Sequence, residues 1–260
     1  MASSLTVLVA AIAGLIVGSF SNVVISRMPH GQSIVTPGSR CPHCGRPLRA
    51  WENVPVLSWV ALGGRCAGCK RPISPRYMLV ELATAALFAL AAVEFGLGLQ
   101  LASACIFAAF ALVTLFVDID HLVILDAVTL PVGLVGLVLA AGMHRFLGAV
   151  EGGALGIAIF AVIYFATRRA GLGFGDVKLA GCVGVFLGVA GSIAAFAAAF
   201  VIGALLAIPV LLTRKRRAKD VLPLGPFIVL GGLIVMLAPG IVYGPYAAYQ
   251  DFLYRRLGGG

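Results

Sequence analysis

The sequence predicts an all-α polytopic membrane protein of about eight transmembrane helices, interrupted once by a small polar insert. Three observations predict it. Of 260 residues, 61% are hydrophobic and only 11% charged, whereas a soluble domain carries roughly 25% charged residues. So few charges cannot clothe a water-facing surface. Apolar runs near the length that crosses about 30 Å of hydrocarbon recur along the chain. The basic residues are gathered into a few segments instead of being spread evenly.

The first apolar run spans Leu5–Ile25. It has no basic residue before it and no small-residue cleavage site before Arg27, so a retained helix is expected rather than a signal peptide. Gly14 and Gly18 have the small-xxx-small spacing that lets helices approach closely, although a chain with 33 glycines produces such pairs by composition too. Residues 26–77 are polar, hold Pro and Gly, and break the membrane pattern. Seven more runs follow, near Met78–Phe95, Leu99–Val117, Ile124–Met143, Phe146–Thr167, Val177–Val189, Gly191–Leu212 and Leu222–Leu237. The sixth of the eight is short, and a tight hairpin around Gly188 and Gly191 would join it to the seventh. The expected organisation is a first helix (1–25), the insert (26–77) and a helical bundle (78–260).

The net charge of +9 follows topology and is not a sign of nucleic-acid binding. With the insert in the cytosol and the N-terminus outside, alternating spans place loops at 118–123, 168–176 and 213–221 on the cytosolic side. All of the 19 basic residues except Arg145, Arg255 and Arg256 then fall inside, as the positive-inside rule requires. The same orientation brings Asp118, Asp120, Asp126 and Asp176 to one membrane surface.

Six cysteines are present. Cys105 and Cys182 stand alone in apolar runs, where a buried structural thiol is the ordinary role. The other four form two similar arms, Cys41-Pro42-His43-Cys44-Gly45-Arg46-Pro47 and Cys66-Ala67-Gly68-Cys69-Lys70-Arg71-Pro72. Two Cys-x-x-Cys knuckles complete a tetrahedral site of four thiolates. Their 21-residue gap slightly exceeds the usual ribbon spacing. A structural zinc in a zinc-ribbon-like insert is expected; two disulfides are the alternative, disfavoured in a reducing cytosol. His43 is a variant ligand or, more simply, a surface residue. Trp51, Pro55, Leu57 and Trp59 are apolar enough to pack on the ribbon or on the membrane interface.

Acidic residues number only ten, and a carboxylate at a membrane edge is expensive enough to imply a function. Val117-Asp118-Ile119-Asp120-His121 closes one apolar run, and Gly173-Phe174-Gly175-Asp176-Val177-Lys178 opens another. No serine or cysteine sits in a nucleophile context, and no His-Glu-x-x-His motif is present. Two carboxylates that meet across helices share a proton, so that one is base toward water and the other donates to a scissile carbonyl. Gly173 and Gly175 would permit unusual backbone angles and close approach of an extended substrate. The plainer alternative is an interfacial turn with Asp176 as an N-cap and Lys178 as a snorkelling anchor. Asp120 and His121 are candidates to orient the pair or touch substrate. Asp126 suits a helix N-cap. Glu81 suits an ion pair with Arg76 or Arg27.

Together these residues resemble the bacterial type IV prepilin peptidases. The resemblance runs from Gly18-Ser19-Phe20-Ser21-Asn22 through Arg27-Met28-Pro29, both cysteine knuckles, Glu52-Asn53-Val54-Pro55-Val56-Leu57-Ser58-Trp59, Gly64-Arg65-Cys66 and Ile73-Ser74-Pro75-Arg76-Tyr77. It continues through Val80-Glu81-Leu82, Asp118-x-Asp120-His121 and Gly173-Phe174-Gly175-Asp176-x-Lys178 to Pro223-Leu224-Gly225-Pro226-Phe227. It implies a GxGD aspartic endopeptidase of the bacterial inner membrane, with Asp118 and Asp176 catalytic. The implied substrates are prepilins and pseudopilins with a basic leader and an apolar N-terminal helix, cut after Gly on the cytosolic side. It also implies N-methylation of the new terminus with S-adenosylmethionine. No Rossmann glycine motif marks the donor site, so the insert, at Glu52, Asn53 and Gly64, is its expected place. Docking of the substrate leader is the competing use of the insert. Leu125 stands where the family often has proline. The rival functions are a proton- or cation-coupled transporter, which would favour inverted repeats that the halves lack, and a non-enzymatic zinc-bearing assembly scaffold. The implied surroundings are membrane lipid, with no nucleic acid.

Overall fold

The apolar runs become helices because lipid offers no partner for a free backbone amide or carbonyl. The computed structural model describes residues 3–168, 172–212, 223–238 and 240–241. The basic loop expected at 213–221 and the tail with Arg255 and Arg256 lie outside the described residues. Among the described residues the chain is helical, with two isolated β-bridges in the insert. Within those residues five helical elements are long and apolar enough to cross a membrane, and Asp126–Gly142 and Gly225–Leu237 are shorter apolar helices. The chain divides into two compact units, Met1–Leu125 and Asp126–Gly260.

In the first unit, α1 (Ser4–Arg27) is started by Ser3, whose hydroxyl oxygen accepts the Thr6 N–H at 3.1 Å. Short 3-10 turns at Met28–His30 and Ala50–Asn53 and a one-turn helix, α2 (Leu57–Ala61), shape the insert. Then come α3 (Arg76–Phe95) and α4 (Leu99–His121). The Gly14–Gly18 spacing is a real contact surface. A Cβ on Gly14 would stand 2.6 Å from the Ala85 Cα, and one on Gly18 would stand 2.7 Å from the Glu81 Cα. The backbones of α1 and α3 therefore touch, as small residues permit. Phe88, Phe107 and Phe110 fill the interior. Leu5, Leu8, Ile12 and Ile16 point outward from α1, an apolar stripe suited to lipid.

In the second unit, α5 (Asp126–Gly142) and α6 (Phe146–Ala166) lead to α7 (Phe174–Leu212), followed by α8 (Gly225–Leu237). α7 is helical on both sides of Gly188, whose backbone (φ 69°, ψ −176°) is not. Its contacts show what happens there. Gly156 of α6 meets Ala180, Gly152 meets Gly184, and Gly148 meets Gly188. Farther along α6, Phe160 instead packs on Phe196 and Phe200, with ring centroids 5.0 and 6.0 Å away. One helix face can touch both halves at these levels only if the chain reverses at Gly188. The expected hairpin is thus present, and the sixth and seventh runs are its two arms. α8 returns along the second arm, with Gly231 against Ala195 and Gly203 against Phe227.

One boundary moves. The run expected to end at Val117 stays helical to His121, because Leu122 adopts a left-handed conformation (φ 55°, ψ 39°) and its N–H caps the Asp118 carbonyl at 2.9 Å. Asp118, Asp120 and His121 therefore sit on the last helical turn and not in the loop after it.

Candidate active site, cysteine cluster and cavity

Helix geometry separates the neighbouring aspartates of α4. Residues two apart on a helix point to nearly opposite sides. Asp118 is buried at 5% exposure, whereas Asp120 is exposed. Arg76, at the start of α3, holds Asp120 through Nη1 at 2.6 Å. The same guanidinium donates to the Phe116 carbonyl at 3.4 Å and lies 4.5 Å from the centre of the Phe116 ring. Asp120 is thus committed to an ion pair that pins α3 to the end of α4. His121 is exposed and meets His30 edge-on, centroids 5.2 Å apart. Nothing in the sequence signals the Arg76–Asp120 pair, whose members are 44 residues apart.

In the second unit, Asp176 occupies the first turn of α7 and is half-buried. Its Oδ2 accepts the Gly173 N–H at 3.0 Å, while its own N–H donates to the Gly173 carbonyl at 3.1 Å. Gly173 and Gly175 do not have the positive φ expected for unusual backbone angles. Gly173 instead sits close to the carboxylate: a Cβ there would lie 3.4 Å from Asp176 Oδ2. Lys178 is not free to anchor lipid phosphate. Its ammonium binds the Asp126 carboxylate at 2.6 Å and lies 5.4 Å from the Phe174 ring centre. Asp126 is therefore an ion-pair partner as well as the first residue of α5.

The insert folds as two copies of one turn. In the first arm the Cys41 N–H donates to Arg46 O at 2.9 Å and Gly45 N–H returns to Cys41 O at 3.0 Å. In the second, Cys66 N–H donates to Arg71 O at 2.9 Å and Lys70 N–H returns to Cys66 O at 3.0 Å. Each turn needs one left-handed residue, supplied by Gly45 (φ 69°) and by Lys70 (φ 58°). The result brings the Sγ atoms of Cys41, Cys44, Cys66 and Cys69 within 4.8 Å of one another, with Cys41 and Cys69 3.9 Å apart. Four thiolates at about 2.3 Å from a tetrahedral ion stand about 3.8 Å from one another, so this donor set fits a metal. All four thiols are free. Amides of Cys69 and Gly68 hold the Cys66 thiol down to about 6. Cys69, despite the Arg71 amide at its sulfur, is pushed up to about 11 by burial and the neighbouring sulfurs. His43 stays outside the cluster, exposed, with Nε2 3.2 Å from the Pro72 carbonyl.

Beside the cluster, within the first unit, lies a cavity of about 370 Å³. Its wall includes Cys41, Glu52, Asn53, Trp59, Asn22 and Glu81, so it is lined jointly by the insert, α1 and α3. Its size is that of a small-molecule pocket. The buried Glu52 accepts from Arg46 Nη2 and from the Arg49 N–H, both at 2.8 Å. The Arg46 guanidinium, first, and then the Arg49 amide hold the Glu52 carboxyl below its usual range. Gly64 (φ 67°) is not among the residues that line the cavity. The Trp59 indole lies on this glycine, 2.7 Å from where a Cβ would be, and Trp59 Nε1 donates to Ile73 O at 3.2 Å. Trp51 and Leu57 are exposed, so only Trp59 of the two tryptophans packs into the ribbon. Glu81 pairs with neither Arg27 nor Arg76. Arg27 is occupied by the carbonyls of Ser33, Pro37 and Gly38, and Arg76 by Asp120. Glu81 Oε2 instead accepts the Val56 N–H of the insert at 2.7 Å.

Comparison with known proteins places this architecture. A model of the bacterial peptidase A24 N-terminal domain matches residues 12–95, and one of the type IV leader peptidase family matches residues 105–208. A protein of Stutzerimonas stutzeri named prepilin leader peptidase/N-methyltransferase is 33% identical over 260 residues, covering 89% of this chain and 90% of its own. The protein of that name in Pseudomonas aeruginosa is 32% identical over 268 residues, covering 92% of each chain. One from Myxococcus xanthus is 44% identical over 180 residues, which are 67% of this chain and 54% of that protein. No solved structure matches. The helical architecture, the cysteine knuckles and these matches lead to one assignment: the chain belongs to the type IV leader peptidase family.

Proposed function

We propose that this protein is a prepilin leader peptidase and N-methyltransferase of the bacterial inner membrane. The observation that carries the reading is a family match along nearly the whole chain, in which Asp118 is buried at the end of one helix and Asp176 opens another. The rival readings, transporter and scaffold, find no support among the relatives.

In this reading Asp118 and Asp176 form the hydrolytic pair. One carboxylate takes a proton from water as the oxygen attacks the scissile carbonyl, and the other, protonated, donates to the carbonyl oxygen. Collapse of the tetrahedral intermediate breaks the C–N bond, and the amine leaves with a proton returned from the pair. No covalent enzyme intermediate forms. The Gly173 amide orients the Asp176 carboxylate. Arg76 engages Asp120, which leaves Asp118 as the buried acid of its helix. Substrates are prepilins or pseudopilins with a basic leader and an apolar N-terminal helix, cut after Gly on the cytosolic face. The N-terminus lies outside and the insert inside.

Cys41, Cys44, Cys66 and Cys69 would hold a structural zinc, closed to substrate because all four positions are protein thiolates. S-Adenosylmethionine supplies an electrophilic methyl group for the newly exposed amine. The insert cavity is the place we assign to that donor. Asn53 and Asn22 offer polar contacts, Trp59 an apolar face, and Glu52 keeps the cavity wall tied to the cysteine cluster through Arg46. Gly64 serves the packing of Trp59.

The test is a detergent-solubilised reaction with a prepilin peptide and S-adenosylmethionine, followed by mass spectrometry. A mature product cut after Gly, then a gain of one methyl group, is expected. Cleavage that survives in both Asp118→Asn and Asp176→Asn would remove the aspartyl mechanism.

A further inference from the structure

Val56 is the least comfortable residue in the insert. Its backbone has φ 61° and ψ −52°, and the Leu57 N–H donates to the Pro55 carbonyl at 2.6 Å. An i to i+2 bond around a positive-φ residue is a γ-turn of the rare, strained kind. A β-branched side chain makes it worse, because its branches crowd the backbone at positive φ. Such a conformation persists only where its surroundings enforce it, and strain of this kind gathers at functional sites.

The enforcing contact is identifiable. Val56 donates its N–H to Oε2 of Glu81 at 2.7 Å. Glu81 is a buried carboxylate on α3, set where α1 approaches so closely that Gly18 has no room for a Cβ. The turn also has a defined place. It joins the 3-10 turn that carries Glu52 and Asn53 to the short helix α2 that carries Ser58 and Trp59, and residues from both sides line the cavity. The angle at Val56 therefore sets how far apart two cavity walls stand.

We propose that Glu81 is a positioning residue for the methyl-transfer half of the reaction: it latches the strained Val56 turn and so holds the donor cavity in its binding shape. The inference rests on the assignment of the donor to that cavity. It makes Glu81 the link through which helices α1 and α3 pre-organise a soluble insert for a small ligand.

The full-length protein in detergent tests it, with S-adenosylhomocysteine as the probe in calorimetry and both activities measured in parallel. Glu81→Ala strands a buried amide and releases the turn, so binding should weaken roughly tenfold or more, the scale expected for an orphaned donor. Peptide cleavage should change far less. Glu81→Gln keeps an oxygen to accept the Val56 N–H and should retain most of the affinity. Adding Val56→Gly to Glu81→Ala should recover much of the lost affinity, because glycine accepts positive φ without the side-chain clash. Three results would each overturn the latch: Glu81→Gln as damaging as Glu81→Ala, no recovery with Val56→Gly, or equal loss of cleavage and methylation. Hydrogen exchange of residues 53–58 separates the latch from the donor assignment. Faster exchange in Glu81→Ala supports the latch whatever binds there, and unchanged exchange sinks it. If Ser58→Trp, which fills the cavity, leaves probe binding intact, the donor assignment fails instead.

Discussion

Asp118 and Asp120 are two positions apart and have opposite circumstances. One is buried; the other is exposed and held by Arg76. Their substitutions should differ accordingly. In the proposed mechanism Asp118→Asn and Asp176→Asn each remove a proton-transfer group, and each should lower the cleavage rate by about 10²–10⁴-fold or more. Asp120→Asn gives up a half-exposed ion pair worth about 0–1 kcal/mol, so melting temperature and cleavage should both stay near wild type. A peptide cleavage series on the three variants reads this directly. Glu52 supports a pH prediction. Its folded-state carboxyl lies below the ordinary 4.5, so the ionised form stabilises the insert. That stabilisation is complete above about pH 4.5 and is lost as the pH falls through the lower folded value. Tryptophan-monitored melts should therefore show Glu52→Gln less stable than wild type at pH 7, with the gap closing in acid. Asp118 and Asp176 stood out in the sequence because acidic residues are scarce, ten in all, and these two sit at the edges of apolar runs. Glu81 and Arg76 were noticed but matched to the wrong partners, and Val56 was not singled out, because their true partners lie 25 to 44 residues away and no local pattern encodes a partner.

At the scale of elements, the first arm of α7 and its neighbour α6 are joined backbone to backbone. Gly184 has no room for a Cβ because the Gly152 carbonyl is already there. Gly184→Leu should destabilise the second unit by at least about 1–3 kcal/mol, the usual range for overpacking a tight core, and thermal melting in detergent would show it. Gly148→Leu is the control. No atom stands near its Cβ position, so its melting temperature should hold. The hairpin itself was legible, because Gly188 and Gly191 sit between two apolar runs of near-spanning length. The end of α4 was not. Hydropathy falls at Asp118, but the helix continues to a left-handed Leu122, and a non-glycine residue gives no advance sign of that conformation.

Across the whole molecule, the insert is a small polar body with almost no core, so metal binding at its cysteine cluster is expected to support its fold. Metal removal should act there first. One zinc per chain is expected by elemental analysis, absent in Cys66→Ser, with chelation weakening methyl-donor binding because Cys41 lines the cavity. If chelated protein keeps full donor affinity, the cluster does not support the cavity. The all-helical, apolar character of the chain, the polar insert and its four clustered cysteines were legible in the sequence alone. Each is written in local composition: hydrocarbon demands long apolar helices, and a metal demands paired thiols at short spacing. The tertiary structure decided which groups meet. It separated Asp118 from Asp120 by helix phase, moved Glu81 from a cationic partner to the Val56 amide, and opened a cavity between the insert and two helices. Those outcomes depend on how distant segments pack, and packing is a property of surfaces that exist only once the chain has folded.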